Sequence, residues 1–365
     1  MFFSLNTDIY FPCMFGIIKS TKKFYLVVKM LFSIGYRVKK DDNLVNEIIK
    51  RKSDISEVYL SWGDSPSGRN AQTEVDGLSF WEAQTKQIND IKKLSQNGIK
   101  LNLLFNANCY GAKSQSKELF NLVGNTVNYL LDLNLNSVTT TSILIAKFIK
   151  QNFKNIDVRA SVNMKIGTVN GMEYVADYFD SYYIEREKNR HIDQLQILRK
   201  WCNENGKEMY LLANSGCLNN CSAHTFHDNL VAHEKEISAM NNGYSFKSIC
   251  SEFFKKESNM KRFLETTNFI RPEDVHIYKN LVPAMKLATR VHQNPLRVLK
   301  AYIDKKSFTG NLPSLLEPDH SGVLYPYILE NKNIKVDYLD KELKYIDGGN
   351  AFVKLEECYV DKQND

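Results

Sequence analysis

Short apolar and β-branched runs alternate along this chain with longer stretches whose apolar positions recur every three or four residues. The runs MLFSIGY (30–36), EVYLSW (57–62), IKLNLLFNA (99–107) and NSVTTT (136–141) each read as a strand. Each is followed by a helical pattern: DNLVNEIIK, FWEAQTKQINDIKKL, SKELFNLVGNTVNYLLDL and SILIAKFIKQNF. VRASVN (158–163), FDSYYIE (179–185), EMYLLAN (208–214) and PAMKLATR (283–290) complete a set of eight strands, with helices expected at about 168–177, 190–204 and 294–304.

Eight strand–helix repeats predict an α/β chain of the (β/α)8 TIM-barrel type, with a long insertion after strand seven. Met30 to Ala301 is close to the roughly 250 residues typical of that fold, and no Pro/Gly/Ser-rich linker divides it. The alternative arrangement is an open doubly wound sheet. No Gly-rich phosphate loop or dinucleotide fingerprint follows the first strand, so neither arrangement offers a nucleotide cofactor an evident seat. The expected organisation is an N-terminal extension or misassigned start over 1–29, a barrel over 30–312 and a C-terminal extension over 313–365.

The chain has 365 residues, 43% of them hydrophobic, enough for a large core and against disorder. Lys and Arg number 48 against 42 Asp and Glu, and several of the excess lysines fall before Met30. A basic arm or stripe is absent, so charge permits a nucleic-acid partner without demanding one. The first 29 residues are broken by Asp8, Pro12 and a lysine cluster, too short an apolar run to span a bilayer and without the form of a secretory signal. A cytoplasmic location and no membrane partner are expected.

Seven cysteines, an odd number scattered through a long chain, do not make a disulfide framework. In a barrel the loops after the strands gather at one face. Cys109 follows strand three, Cys217 and Cys221 follow strand seven, and Cys250 lies in the insertion before strand eight. Four thiols brought to one face from three segments suit a metal site, and zinc would accept four sulfurs. The competing reading is four ordinary buried cysteines, which the polar loop SGCLNNC argues against. Cys202 reads as packing, and Cys13 and Cys358 lie outside the barrel.

The stretches NANCYG (106–111), NSGCLNNC (214–221), His227 and His233, Cys250, FIRPEDVHIY (269–278), MKLATR (285–290) and AYIDKKSFTGNL (301–312) together resemble peptidase family U32, the collagenase-like peptidases. The resemblance runs from Met30 to about residue 345. It implies that Cys109, Cys217, Cys221 and Cys250 hold a [4Fe–4S] cluster, which requires only that four sulfurs meet and not a consecutive motif. The RNA-modifying members space their cysteines differently, as C-x6-C followed by a second pair, so their substrate does not transfer.

The family positions also imply who handles substrate: Arg69 after strand two, Asn106 and Asn108 around strand three, Arg190 after strand six, Asn214 ending strand seven, and Lys286 and Arg290 with strand eight. Cations at a barrel mouth could clamp carboxylates, although each could also be an ordinary surface charge. Arg271 and Glu273 in IRPED read as a structural turn. His227 and Asn106 are the candidate catalytic residues, His227 as a general acid/base, with a satisfied loop histidine as its alternative. The spacing of His227 and His233 is not that of a helix-borne zinc site.

The resemblance implies an oxygen-independent hydroxylase that takes oxygen from prephenate or a similar dicarboxylate and acts on a small molecule or RNA. A U32-type protease is a second class, though no Ser/His/Asp order, HExxH or paired catalytic aspartates are visible. A non-catalytic [4Fe–4S] scaffold or partner subunit, working with a protein of the same family, is the third.

Overall fold

The computed structural model describes residues 29–355 apart from 64, 66, 69–76, 242, 244, 245, 305 and 306. Arg69, Cys13 and Cys358 therefore lie outside the described residues, as does the expected extension up to residue 28. Eight parallel strands close into a barrel in sequential order: β1 Leu31–Gly35, β2 Ile55–Leu60, β3 Leu101–Phe105, β4 Leu135–Thr140, β5 Asp157–Ala160, β6 Ser181–Tyr183, β7 Glu208–Leu212 and β8 Ala284–Leu287. Closure is made by β1 pairing with β8, Ser33 opposite Lys286. Every strand expected from the sequence is present, and the open-sheet alternative is excluded.

The outer helices follow from their apolar spacing: α1 Asn43–Lys50, α2 Phe80–Gln96, α3 Lys117–Leu131, α4 Ile143–Asn152, α5 Val169–Glu173 and α6 Ile192–Glu204. Serines start three of them. Ser79 accepts the Glu82 N–H while the Glu82 carboxylate accepts the Ser79 N–H, a reciprocal cap, and Ser116 and Ser142 cap α3 and α4. The insertion after β7 folds as short helices, α7 His224–Ala232, α8 Glu234–Ser238, α9 Ile249–Phe254, α10 Glu257–Met260 and α11 Phe263–Thr266. After β8 come α12 Pro295–Ile303, α13 Ser321–Leu324 and two antiparallel pairs, β9 Tyr327–Leu329 with β12 Phe352–Lys354, and β10 Lys335–Leu339 with β11 Glu342–Ile346. No helix among the described residues is long and apolar enough to cross a membrane.

Both faces of each barrel strand are buried, so alternation survives as chemistry and not as exposure. Val58, Leu60, Leu103, Val138, Val158, Met209, Leu211 and Met285 face the helices in one continuous core. The residues between them point into the lumen, which is polar where Val, Ile and Leu usually dominate. Glu57 is its centre. Its carboxylate accepts from Ser33 Oγ at 2.9 Å, Asn102 Nδ2 at 2.9 Å and Ser137 Oγ at 3.2 Å, and pairs with Arg159 NH1 at 2.9 Å. Burial pushes the Glu57 pKa up, but Arg159, Asn102 and Ser33 outweigh it and hold the group below the ordinary carboxylate range. Arg159 also donates to Asp157 at 2.6 Å and lies 4.3 Å over the Tyr210 ring. Every strong group in this network is answered, which is the condition for charge in a core.

The C-terminal segment is built into the barrel mouth. Glu317 N donates to Asn214 O and Gly216 N to Glu317 O, both at 2.9 Å, so 315–318 continues the sheet beside the end of β7. This contact explains Gly216. A Cβ there would stand 2.4 Å from the Pro318 carbonyl oxygen and 3.3 Å from Leu316 Cβ. Backbone cannot yield as a flexible side chain can, so Gly216→Ala is expected to part the two segments at a cost of about 2–3 kcal/mol. Denaturant midpoints would measure it; an unchanged midpoint would show that the loop relaxes freely.

Candidate functional site

At the C-terminal ends of the strands, where loops leave a barrel, a cavity of about 520 Å³ opens between the lumen and the insertion. Its wall contains the thiols of Cys217, Cys221 and Cys250, two of them from the loop after β7 and one from the first turn of α9. Burial pushes the Cys250 thiol up, and the neighbouring Cys217 and Cys221 add to the shift. The same lining carries the cations Arg37, Arg186, Lys286 and Arg290 and the carboxylates Asp228, Glu234 and Glu317. Asn106 and His227 also face the cavity.

Cys217 is held from several sides. Ser215 Oγ accepts from its N–H at 3.4 Å, and Arg186 NH1 reaches its sulfur at 3.7 Å. Behind the loop, His320 is buried against Phe254 and Phe263, and its Nε2 lies 3.0 Å from Gly216 O. Burial lowers the His320 pKa, so the ring is neutral and Nε2–H donates to that carbonyl.

Arg186 and His224 are the residues that sequence reasoning missed. Arg186 NH2 donates to Asn163 Oδ1 at 3.2 Å, and NH1 donates to His224 Nε2. Burial, and then Arg186, push the His224 pKa down to about 3. The imidazole is thus neutral, and its Nε2 lone pair faces the guanidinium. Asp228 Oδ2 at 3.4 Å from the same nitrogen is a neighbour and not an ion-pair partner. A signal was available for Arg186, which stands three residues past β6, but Arg190 in the same turn looked equivalent.

Arg190 is corrected by the structure. It does not reach the mouth: its guanidinium lies 4.3 Å over Tyr345 and 4.6 Å over Phe269, and donates to the Phe269 and Leu264 carbonyls. Burial lowers its pKa. Its work is to tie β11 to the insertion, with Leu343 N donating to Arg190 O at 2.8 Å. Asn214 is also structural. It is fully buried, and its amide donates to Leu315 O at 2.8 Å and Ala288 O at 3.3 Å while accepting from Ala288 N at 2.6 Å. Asn108 stays off the cavity wall and links the loop after β3 to α7 through Asp228, at 3.3 Å.

Cys109 differs from the other three expected ligands. It lies beside the cavity and not in its wall, with its sulfur accepting from Gly111 N at 3.4 Å. Among the described residues, no three His, Cys, Asp or Glu side chains gather tightly enough for one metal ion. Cys217, Cys221 and Cys250 line the same cavity. Arg271 is structural as expected, paired with Asp274 at 2.8 Å and donating to Ile334 O at 3.0 Å. His233 sits at the surface near Glu236.

Lys286 and Arg290 do reach the cavity. Lys286 Nζ stands 4.0 Å from the centre of the Tyr59 ring and 4.7 Å from that of Tyr183. Arg290 NH1 donates to Ser67 Oγ at 3.3 Å. Asn106 Oδ1 accepts from Gly68 N at 3.0 Å, which ties the mouth to the loop after β2.

These features define a (β/α)8 protein with thiols and cations sharing one cavity at the mouth. No family model matches the chain. An uncharacterized protease of Methanocaldococcus jannaschii is 28% identical over 283 residues, which are 75% of this chain and 78% of that one. The solved structure of a U32 peptidase superposes with a TM-score of 0.50 at 10% identity, over 70% of this chain and 91% of that one, and shares the fold. The chain is thus similar in sequence to that archaeal protein and in fold to a U32 peptidase.

Proposed function

We propose that this protein is an oxygen-independent hydroxylase or related modifying enzyme that binds a small dicarboxylate donor, prephenate or a similar acid, beside a cysteine-held [4Fe–4S] cluster. The observation that supports this reading is the sharing of one cavity by three thiols and four cations. Cys217, Cys221 and Cys250 would hold the cluster. When bound, such a cluster supplies one-electron exchange or Lewis acidity without molecular oxygen. The chain's own residues do the rest. Arg290 and Arg186 clamp the donor's carboxylates, since a planar guanidinium fork matches a carboxylate. His227 faces the same space as the group able to move a proton. The insertion contributes part of the cavity lining, including His224, His227 and Cys250.

The test has two readouts. Protein purified without oxygen is expected to be brown and to carry iron. Cys217→Ala, Cys221→Ala and Cys250→Ala should lose the colour, whereas Cys202→Ala, in the core of α6, and Cys109→Ala, outside the cavity, should keep it. Prephenate or a related dicarboxylate should raise the melting temperature of the holo protein, and Arg290→Ala should abolish that shift with the iron retained. A colourless protein holding a single zinc would remove the cluster. Absence of any shift across a series of dicarboxylates, with iron present, would leave a scaffold or partner subunit. Peptide hydrolysis by iron-depleted protein would move the reading to the protease class of the archaeal relative's printed name.

A further inference from the structure

We propose that Lys286 is a covalent amine, forming an imine with the carbonyl carbon of a 2-oxo acid whose carboxylate is held by Arg290. This rests on the reading of the cavity as a small-acid site, and not on the cluster. Lys286 is 7% exposed and lies where the lumen opens into the cavity, its Nζ between the Tyr59 and Tyr183 rings. The lumen carboxylate that acts on it, Glu57, is committed to Arg159 at 2.9 Å. Arg290, four residues further on, lines the same cavity.

The two rings favour the ammonium form. Burial opposes them, and so do Arg290, Arg159 and Arg186, with Glu57 the carboxylate pulling the other way. The outcome is a lysine pushed down to about 7, so that much of it is the neutral amine at neutral pH. A buried, partly neutral lysine in a cavity is the form in which lysine attacks carbonyls. The step balances within the pair: Nζ bonds to the carbonyl carbon, the C–O bond breaks, and the two amine hydrogens leave with the oxygen as water, giving a neutral imine. A 2-oxo acid places its carboxylate one bond from the reacting carbon, within the reach of a guanidinium beside the amine.

The experiment is reductive trapping of the full-length holo protein with cyanoborohydride in the presence of pyruvate, 2-oxoglutarate or phenylpyruvate, followed by peptide mass mapping. The expected result is a secondary-amine adduct on the peptide carrying Lys286, more than about tenfold above that on any surface lysine. Its yield should rise through about pH 7. Lactate, which has no carbonyl, should give none. Lys286→Arg should give no specific adduct, and Lys286→Met repeats this control if arginine does not fit the lumen. Trapping spread evenly over surface lysines, or persisting in both variants, overturns the proposal. If the acids raise the melting temperature yet trap nothing, the amine is only a charge contact and the small-acid reading survives. If they do neither, that reading falls too.

Discussion

Lys286→Met is expected to be more stable than the wild type at pH 6, by on the order of 2–4 kcal/mol, and the advantage should shrink as pH rises. The sign follows from the depressed pKa. Folding lowers Lys286 from 10.5 to about 7, so between those values the unfolded chain binds more protons than the folded one. Wild-type stability therefore climbs with pH across that window. Below pH 7 the buried ammonium costs its full amount; near pH 10 the cost has almost gone. Methionine, of similar length and without charge, removes the titration. Other groups titrate in both proteins and cancel in the difference. Urea midpoints at pH 6 and pH 9.5 measure it. A difference between variant and wild type that did not change with pH would show that the lumen does not depress this lysine. A residue that weakens the fold at working pH is what a functional position looks like.

Glu57→Gln, in the same layer of the lumen, should act in the opposite direction. It leaves Arg159 buried without its main counter-charge, and breaking one side of a buried pair typically costs about 3–5 kcal/mol. Asp157, 2.6 Å from Arg159 Nε, will hold part of the charge, so about 3 kcal/mol is expected. Adding Arg159→Met should restore much of the loss, because the double variant leaves no unpaired ion. Additive losses in the double variant would mean that Glu57 and Arg159 act independently, contrary to their contact. The lumen thus combines one answered charge pair with one lysine that has no ion-pair partner among the described residues, and the difference between them separates support from chemistry.

The C-terminal segment also takes on a definite role. Residues 315–318 pair with the strand end that carries Cys217, His320 supports the Gly216 carbonyl, and Tyr345 covers Arg190 and Arg271. Far from being an appendage, the segment read from sequence as an extension forms the back wall of the cysteine loop.

The eight strands and their helices were legible because each depends on local periodicity: two residues for a strand, three to four for a helix. The placement of Cys217, Cys221, Lys286 and Arg290 at one end followed from the barrel's single direction. The five short helices of the insertion were not legible, since segments of four to nine residues give a 3.6-residue period too little length to register. The choice between Arg186 and Arg190 was likewise closed to the sequence. Both follow β6, and only the turn at 186–188 sends one guanidinium toward Cys217 and the other under Phe269 and Tyr345. Cys109 shows the same limit, its chain position resembling that of the other thiols while its side chain stands off the wall. The sequence alone determined the barrel and the face on which chemistry gathers. Which side chains share the cavity, and that Gly216 must lack a Cβ, were decided by contacts between segments far apart in the chain, Arg290 and Ser67 among them, where no local pattern reaches.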